Sequence, residues 1–225
     1  MPETYGDDLA EIGSQAIEQL TLRNQAREKA LAASRQVIRY SANAIRAVHR
    51  GEYEEARRGI EQAGQRLAET APIRQENPEI YFAGFMADAR KEFSEANITL
   101  ALIEGGPMPR PDDLGVDPAA FLNGMADVIG ELRRYILDEL RRDSFDRCQE
   151  FMDLMDEIYS ILMSVDFPEA VTSGLRHSTD QQRGVIERTR GDLTMALRQR
   201  NLEVRLALRE DQQTGSSQSP SSPGK

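Results

Sequence analysis

Proline is nearly absent from the first third of the chain, where Pro2 is the only one before Pro72. Residues 8–70 consist mainly of the helix-forming residues Ala, Glu, Arg, Gln and Leu. The run is interrupted at His49–Gly51, and glycine commonly ends a helix. This stretch therefore predicts two helices, the first of them long.

Proline, glycine and helical periodicity divide the rest of the chain in the same way. No segment shows sustained strand-like alternation, so we expect an all-α bundle of six or seven helices. Ser144 is a candidate N-cap for the helix that follows it. We expect one domain over residues 1–210 and a disordered tail over 211–225, which is rich in Ser, Gly, Gln and Pro. The predicted segments are 79–104, 119–142, 145–166, a short element between Pro168 and Gly174, and 178–209.

Charge limits the kinds of partner. The chain has 38 acidic and 28 basic residues, a net charge of −10, which excludes a uniformly basic nucleic-acid-coating protein. No apolar run is long enough to span a bilayer, and no apolar signal segment precedes the helices. With Cys148 as the single cysteine, we expect a reducing, cytoplasmic location and no membrane partner.

Lysine is scarce, since Lys29, Lys91 and Lys225 are the only three and the other basic residues are arginines. A lysine-poor, acid-rich chain is typical of salt-loving archaea. In such a protein most carboxylates are solvated surface groups.

Segment 79–104 has carboxylates on a face that its periodicity predicts to be buried. Glu92 falls within the apolar stripe, and Asp88 and Glu95 lie on the same side. Buried carboxylates need a cation, and acids at i and i+3 can share one hard divalent ion such as Mg²⁺. The alternatives are that Glu92 pairs with a buried arginine or lines a wet cavity.

Two later helices also carry acids. Asp127 and Glu131 form an i, i+4 pair, but the pattern places them opposite the apolar stripe and predicts that they are solvated. Glu157 lies at the margin of the next stripe, where the signal is weak.

Three stretches of sequence resemble the translin family: Ile45–Gly51, Lys91–Ala96 and, above all, Gly124–Arg133. The likeness covers roughly residues 25–205 and is closest to the branch of translin-associated factor X and its archaeal, by composition haloarchaeal, relatives. It implies a seven-helix fold assembled into hollow octamers, with a Mg²⁺-dependent endoribonuclease site for single-stranded RNA facing the interior. Single-stranded DNA is a second possible ligand.

The resemblance also assigns residues to roles. Glu92 and Glu95 match the family's paired glutamates, and Asp127 and Glu131 match acids of its Ala-Asp-x-x-Gly-Glu-Leu motif. Glu157 stands where factor X has a catalytic aspartate. The implied catalytic set is Glu92, Glu95, Asp127 and Glu157. The implied ligands for Mg²⁺, with Mn²⁺ as the alternative ion, are Glu92, Glu95, Asp127 and Glu131.

Basic residues must attract phosphate to such an acidic site. The resemblance implies nucleic-acid contacts from one segment at the end of the first helix and another just before Glu92, namely Arg46, His49, Arg50, Arg90 and Lys91. Two alternatives to the nuclease remain open. One is a non-catalytic single-stranded RNA- or DNA-binding oligomer of the same fold, and the other is a helical scaffold with a halophilic surface.

Overall fold

The computed structural model describes the backbone of residues 4–216 and the side-chain surroundings of residues 5–209. Within that range the chain is helical and has no strand, which confirms the all-α class. Six helices are long and four have six residues or fewer. They are α1 (Thr4–His49), α2 (Tyr53–Ala68), α3 (Ala71–Glu76), α4 (Pro78–Tyr81), α5 (Gly84–Glu104), α6 (Pro111–Leu114), α7 (Pro118–Arg141), α8 (Cys148–Met163), α9 (Glu169–Thr172) and α10 (Leu175–Ser216).

The predicted break between the first two helices is confirmed. Gly51 has a φ of +75°, a left-handed conformation that glycine adopts without a steric penalty. Gly105 caps α5 in the same conformation, with a φ of +86°. Asp117 caps the N-terminus of α7, where its Oδ1 accepts a hydrogen bond from the Ala120 amide at 3.0 Å.

The prediction that Ser144 caps the next helix is wrong, because α8 begins at Cys148 with Arg147 as its N-cap. The Arg147 guanidinium instead donates to the carbonyl oxygens of Ile103 and Leu102 at 2.6 and 3.1 Å. These are carbonyls at the end of α5 that lack a partner within their own helix. Arg147, in the turn before α8, therefore supplies hydrogen-bond donors to the last carbonyl groups of α5.

The last helix is longer than predicted. It starts at Leu175 and continues to Ser216, into the segment that the composition predicts to be a tail. Residues 217–225 of that segment lie outside the described range.

The long helices pack in a layered order that places α5 and α7 in the middle. α1 packs on α2 and α5, α5 packs on α7, and α7 packs on α8 and α10. Completely buried side chains at these contacts include Met86, Ile98, Ile129, Leu132 and Phe151. The carboxylates singled out on segments 79–104 and 119–142 thus lie on adjacent helices.

The ends of the two longest helices expose apolar side chains. On α1 these are Tyr5, Leu9, Ile12, Ile17, Leu20 and Leu22; on α10 they are Met195, Leu202, Val204, Leu206 and Leu208. Contiguous exposed apolar surface is typical of sites where another macromolecule docks.

Candidate metal centre between α5 and α7

Glu95 is a carboxylate in the core of the protein. Its residue is 7% exposed, and burial together with the charges of Glu92, Asp127 and Glu131 raises its pKa to about 8. Burial also raises the pKa of Glu92, which is half-buried one turn earlier on α5. These four acids, Glu92, Glu95, Asp127 and Glu131, are called the acidic cluster below.

The acidic cluster forms because α5 and α7 approach closely at Gly124. A Cβ at this position would lie 2.7 Å from the Lys91 carbonyl oxygen, 2.9 Å from the Ser94 Cβ and 3.0 Å from the Glu95 amide nitrogen. Only glycine allows this approach. It brings Asp127, one turn further along α7, opposite the acids of α5. The prediction that Asp127 and Glu131 are solvated is wrong in this respect, because both are half-buried and face neighbouring helices.

Lys91 is the cation of the cluster. Its Nζ lies 2.7 Å from Asp127 Oδ2 and 3.7 Å from Glu92 Oε1. Burial alone would lower the pKa of Lys91, but the hydrogen bond and charge of Asp127, together with the charges of Glu92 and Glu95, outweigh it, so the pKa is raised. Lys91 therefore remains protonated and neutralises part of the cluster.

His49, the last residue of α1, contacts the acidic cluster from the other side. Its Nε2 lies 2.5 Å from Glu131 Oε2, and its side chain is 4% exposed. Its Nδ1 is buried and has no hydrogen-bond partner among the described residues. The sequence pattern gave no sign of this long-range pair, and the resemblance implied a nucleic-acid contact for His49 instead.

The donor set suits a hard divalent cation. Carboxylate oxygens are the ligands that Mg²⁺ and Mn²⁺ prefer, and the mutual repulsion that raises the pKa of Glu95 is what a bound cation would relieve. In the described part of the chain, no three His, Cys, Asp or Glu side chains are grouped closely enough to hold an ion together. The acids thus suit a cation by the chemistry of their oxygens, whereas their arrangement, with Lys91 Nζ between Asp127 and Glu92, does not gather three of them around one point.

Two other acids of the predictions are not members of the cluster, although the charge of one of them, Asp88, contributes to raising the pKa of Glu92. Glu157 is exposed on α8, and the strongest charge effects on Glu95 come from Glu92, Asp127, Glu131 and Lys91. Asp88 is exposed at the N-terminal side of Glu92. The structure thus places four of the five predicted catalytic or metal-binding acids close enough for their charges to interact and leaves Glu157 out.

The residues predicted to contact nucleic acid are also divided. Arg46 and Arg50 are exposed, and Arg50 pairs with Glu52 at 2.5 Å. Arg90 is 2% exposed, so its guanidinium is inaccessible to a phosphate in this arrangement. Lys91 and His49 are engaged with the acidic cluster.

Arg90 instead joins α5 to the start of α7. Its Nε donates to Asp117 Oδ2 at 2.9 Å and its Nη1 donates to the Tyr81 carbonyl oxygen at 3.0 Å, while its guanidinium lies 4.7 Å from the centre of the Tyr81 ring. Because Asp117 also caps α7, this contact fixes the position of α7 relative to α5. Sequence spacing alone could not reveal it, since the partners are 27 residues apart.

A groove of about 750 Å³ lies between α1 and α2–α3 and is lined by none of the four acids. Among the described residues, no helix is both long and apolar enough to cross a bilayer.

Comparison with models of protein families does not place the chain, since no family model matches it. It is 30% identical over 202 residues to the uncharacterized protein MJ0175 of Methanocaldococcus jannaschii, with 87% of this chain and 86% of that protein covered.

Comparison with solved structures shows the family of the chain. The chain is similar to AfC3PO in its complex with duplex RNA, with 37% sequence identity and a TM-score of 0.76, and to the crystal structure of AfC3PO, with 38% identity and a TM-score of 0.76. Each match covers 83% of this chain and 97% of the other. It also has the fold of apo-NeC3PO, at 18% identity and a TM-score of 0.72, over 87% of this chain and 98% of the other. The protein therefore belongs to the translin family, among C3PO-like proteins, and an oligomeric assembly is consistent with these neighbours.

Proposed function

We propose that the protein is an RNA-binding oligomer that cleaves RNA with the help of Mg²⁺ or Mn²⁺ held at the acidic cluster. The observation that carries this proposal is Glu95, a buried acid with its pKa raised to about 8 by burial and three neighbouring acids. Perturbed acids of this kind are concentrated at functional sites. The similarity to AfC3PO, which has been solved with duplex RNA, supports RNA as the ligand.

Glu92, Glu95 and Asp127 would hold the cation, which when bound polarises the phosphodiester and favours attack by water. For Glu95 and Asp127 to bind the cation, Glu95 would release its proton and Lys91 would move away from Asp127. Glu131 accepts a contact from His49 at Oε2, which leaves Oε1 available to orient a water molecule. His49 thus sets the orientation of Glu131.

A second function is favoured by the Lys91 ion pair. If Lys91 stays on Asp127, the cluster is already partly neutralised and the protein binds RNA without cutting it. The resemblance of Gly124–Arg133 to the translin-associated factor X branch supports cleavage, whereas a translin-like role corresponds to binding alone. Single-stranded RNA, duplex RNA and single-stranded DNA are the ligands to compare.

We further propose that the assembly is a hollow homo-octamer. The apolar side chains exposed at the start of α1 and the end of α10 lie on surfaces that other copies would cover. The molar mass from light scattering tests this, and a monodisperse monomer would contradict it.

The test of cleavage replaces the buried acids with amides. Glu95→Gln and the double variant Glu92→Gln/Glu95→Gln are incubated with fluorescently labelled single-stranded or duplex RNA and Mg²⁺, Mn²⁺ or EDTA. Cleavage by the unsubstituted protein should require the cation and should be lost in both variants, while RNA binding and oligomer mass are kept.

Asp88→Asn is the matched control, because it changes an exposed acid of the same helix and should retain activity. Undiminished cleavage by Glu95→Gln would overturn the nuclease assignment. Binding of RNA without cleavage by the unsubstituted protein would establish the second function instead.

A further inference from the structure

The acid-bearing face of α7 continues into a line of arginines. Asp127, Glu131, Arg134, Asp138 and Arg141 follow one another at intervals of four, three, four and three residues, which places them on one side of the helix. Arg134 and Arg141 line a groove of about 360 Å³ together with Gly130, Arg133, Leu137 and Asp138. We call this the α7 groove.

Two of the groove's arginines are held only weakly. Arg134 Nη1 lies 3.7 Å from Glu131 Oε2, and Arg141 Nη1 lies 3.5 Å from Asp138 Oδ1. Both guanidiniums are solvent-exposed, and ion pairs of this type contribute little stability. A phosphate, which arginine can bind through two hydrogen bonds, would replace them readily.

Arg133, by contrast, is committed to α10. Its guanidinium donates to Thr189 Oγ1 at 3.0 Å and pairs with Asp192 Oδ2 at 2.9 Å. It shapes one wall of the groove while Arg134 and Arg141 remain available. Asp138, which lies between these two, opposes an anion and limits the groove's net positive charge.

Gly130 leaves space beside these arginines that the protein itself does not use. A Cβ at Gly130 would meet no atom within 4 Å, so packing within the chain gives no reason for glycine in the middle of a helix. Alanine would be favoured there by roughly 1 kcal/mol of helix propensity. The missing side chain instead exposes the backbone next to Arg134, where an incoming chain can approach closely.

From these observations we infer that the α7 groove binds the phosphodiester backbone of RNA and leads it to the acidic cluster. The inference rests on the proposed function. At 1.5 Å per residue, Asp127, Arg134 and Arg141 are spaced about 10.5 Å apart along the helix axis. Arg134 and Arg141 thus contact phosphates on one side of the bond to be cut and do not read the bases.

The test measures binding of a fluorescently labelled oligouridylate, single-stranded or paired with oligoadenylate, in EDTA so that cleavage plays no part. Arg134→Gln/Arg141→Gln should weaken binding by roughly ten-fold or more, since each lost contact is a charged hydrogen bond. The slope of log K against log salt should fall by about 0.7 for each lost contact to a single strand. The lysine pair Arg134→Lys/Arg141→Lys keeps the charge and should retain most of the affinity.

Arg57→Gln/Arg58→Gln on α2 is the matched control, because it removes two positive charges from exposed positions on another helix. Equal weakening of RNA binding by this control would show a general charge effect and would overturn the inference that the α7 groove binds RNA. Normal affinity and a normal salt slope in the Arg134→Gln/Arg141→Gln variant would overturn that inference as well. If the unsubstituted protein binds no RNA, the proposed function fails and the groove's role fails with it, an outcome distinct from intact binding in the variant.

Discussion

Gly124 on α7 and Lys91 on α5 approach so closely that a Cβ on the glycine would lie 2.7 Å from the lysine carbonyl oxygen. The atom that would be displaced is backbone, which cannot rotate away. The two helices can therefore keep their separation only with glycine at this position. The same contact sets how far the acids of α7 lie from those of α5.

The first prediction compares two glycines of α7. Gly124→Ala should destabilise the protein by roughly 1–3 kcal/mol, the usual cost of overpacking a core. It should also impair RNA cleavage by moving Asp127 away from Glu95. Gly130→Ala makes the same change where a Cβ meets nothing, and should stabilise the protein by about 0.5–1 kcal/mol. Urea unfolding of both variants measures the difference, and equal effects would contradict the close approach.

A second prediction concerns the pH dependence of stability. Folded Glu95 has a pKa of about 8, against 4.5 for an ordinary glutamate. Between these values the folded protein holds a proton that the unfolded chain has released. The contribution of Glu95 to the free energy of unfolding is therefore largest below about pH 4.5 and falls as the pH rises towards 8. The loss is at most roughly 1.4 kcal/mol per pH unit.

Glu95→Gln should remove most of this decline, because an amide does not titrate. Unfolding of both proteins in EDTA between pH 5 and pH 8.5 gives the comparison. If the decline is as steep in the variant as in the unsubstituted protein, Glu95 does not have a raised pKa.

A third prediction concerns metal binding measured without catalysis. A ligand that binds only the folded state raises the melting temperature, by an amount equivalent to about 2.7 kcal/mol at a hundred times its dissociation constant. Mg²⁺ or Mn²⁺ should therefore raise the melting temperature of the unsubstituted protein and of Asp88→Asn. Glu92→Gln/Glu95→Gln should show no such increase, and an equal increase would place the metal elsewhere.

A fourth prediction concerns the contact between Arg90 and Asp117. Asp117→Ala removes the partner of a buried guanidinium and the N-cap of α7 together, and should cost roughly 3 kcal/mol or more. Asp117→Asn retains a capping side chain and should cost less. As a control, Glu150→Ala breaks an exposed pair with Arg147 and should cost no more than about 1 kcal/mol. Thermal unfolding would contradict this ranking if Asp117→Ala were as mild as Glu150→Ala.

Local sequence signals predicted the helical architecture well. Prolines, glycines and periodicity located the long helices, including the break at Gly51 and the end of α5 at Gly105. The ends of the helices were less predictable. Arg147 donates hydrogen bonds to the last carbonyls of α5, and α8 begins only after it, at Cys148 and not at Ser144. Its partner Ile103 is more than forty positions away in the chain, so local sequence does not indicate this contact.

The candidate site could be predicted only in part. Glu92 and Glu95 interrupt an apolar face, so their own helix signals their burial. Asp127 and Glu131 lie opposite the stripe of α7, and their proximity to α5 depends on Gly124, whose effect periodicity cannot reveal. The resemblance implies phosphate contacts for His49 and Arg90, yet Glu131 and Asp117 engage them inside the protein. The resemblance rests on short stretches of sequence, whereas the partners of these two side chains are set by tertiary packing.

The scarcity of lysine makes the Lys91 ammonium a natural reporter for the acidic cluster. An amine-directed reagent has only Lys29, Lys91, Lys225 and the α-amino group to modify, so mass spectrometry of the labelled peptides can follow each position separately. While the Lys91 amine is bound to Asp127 its labelling should be slow, and any ion that takes its place should speed that labelling. Occupancy of the cluster can thus be read from the labelling rate of one native side chain, without a mutation or a substrate.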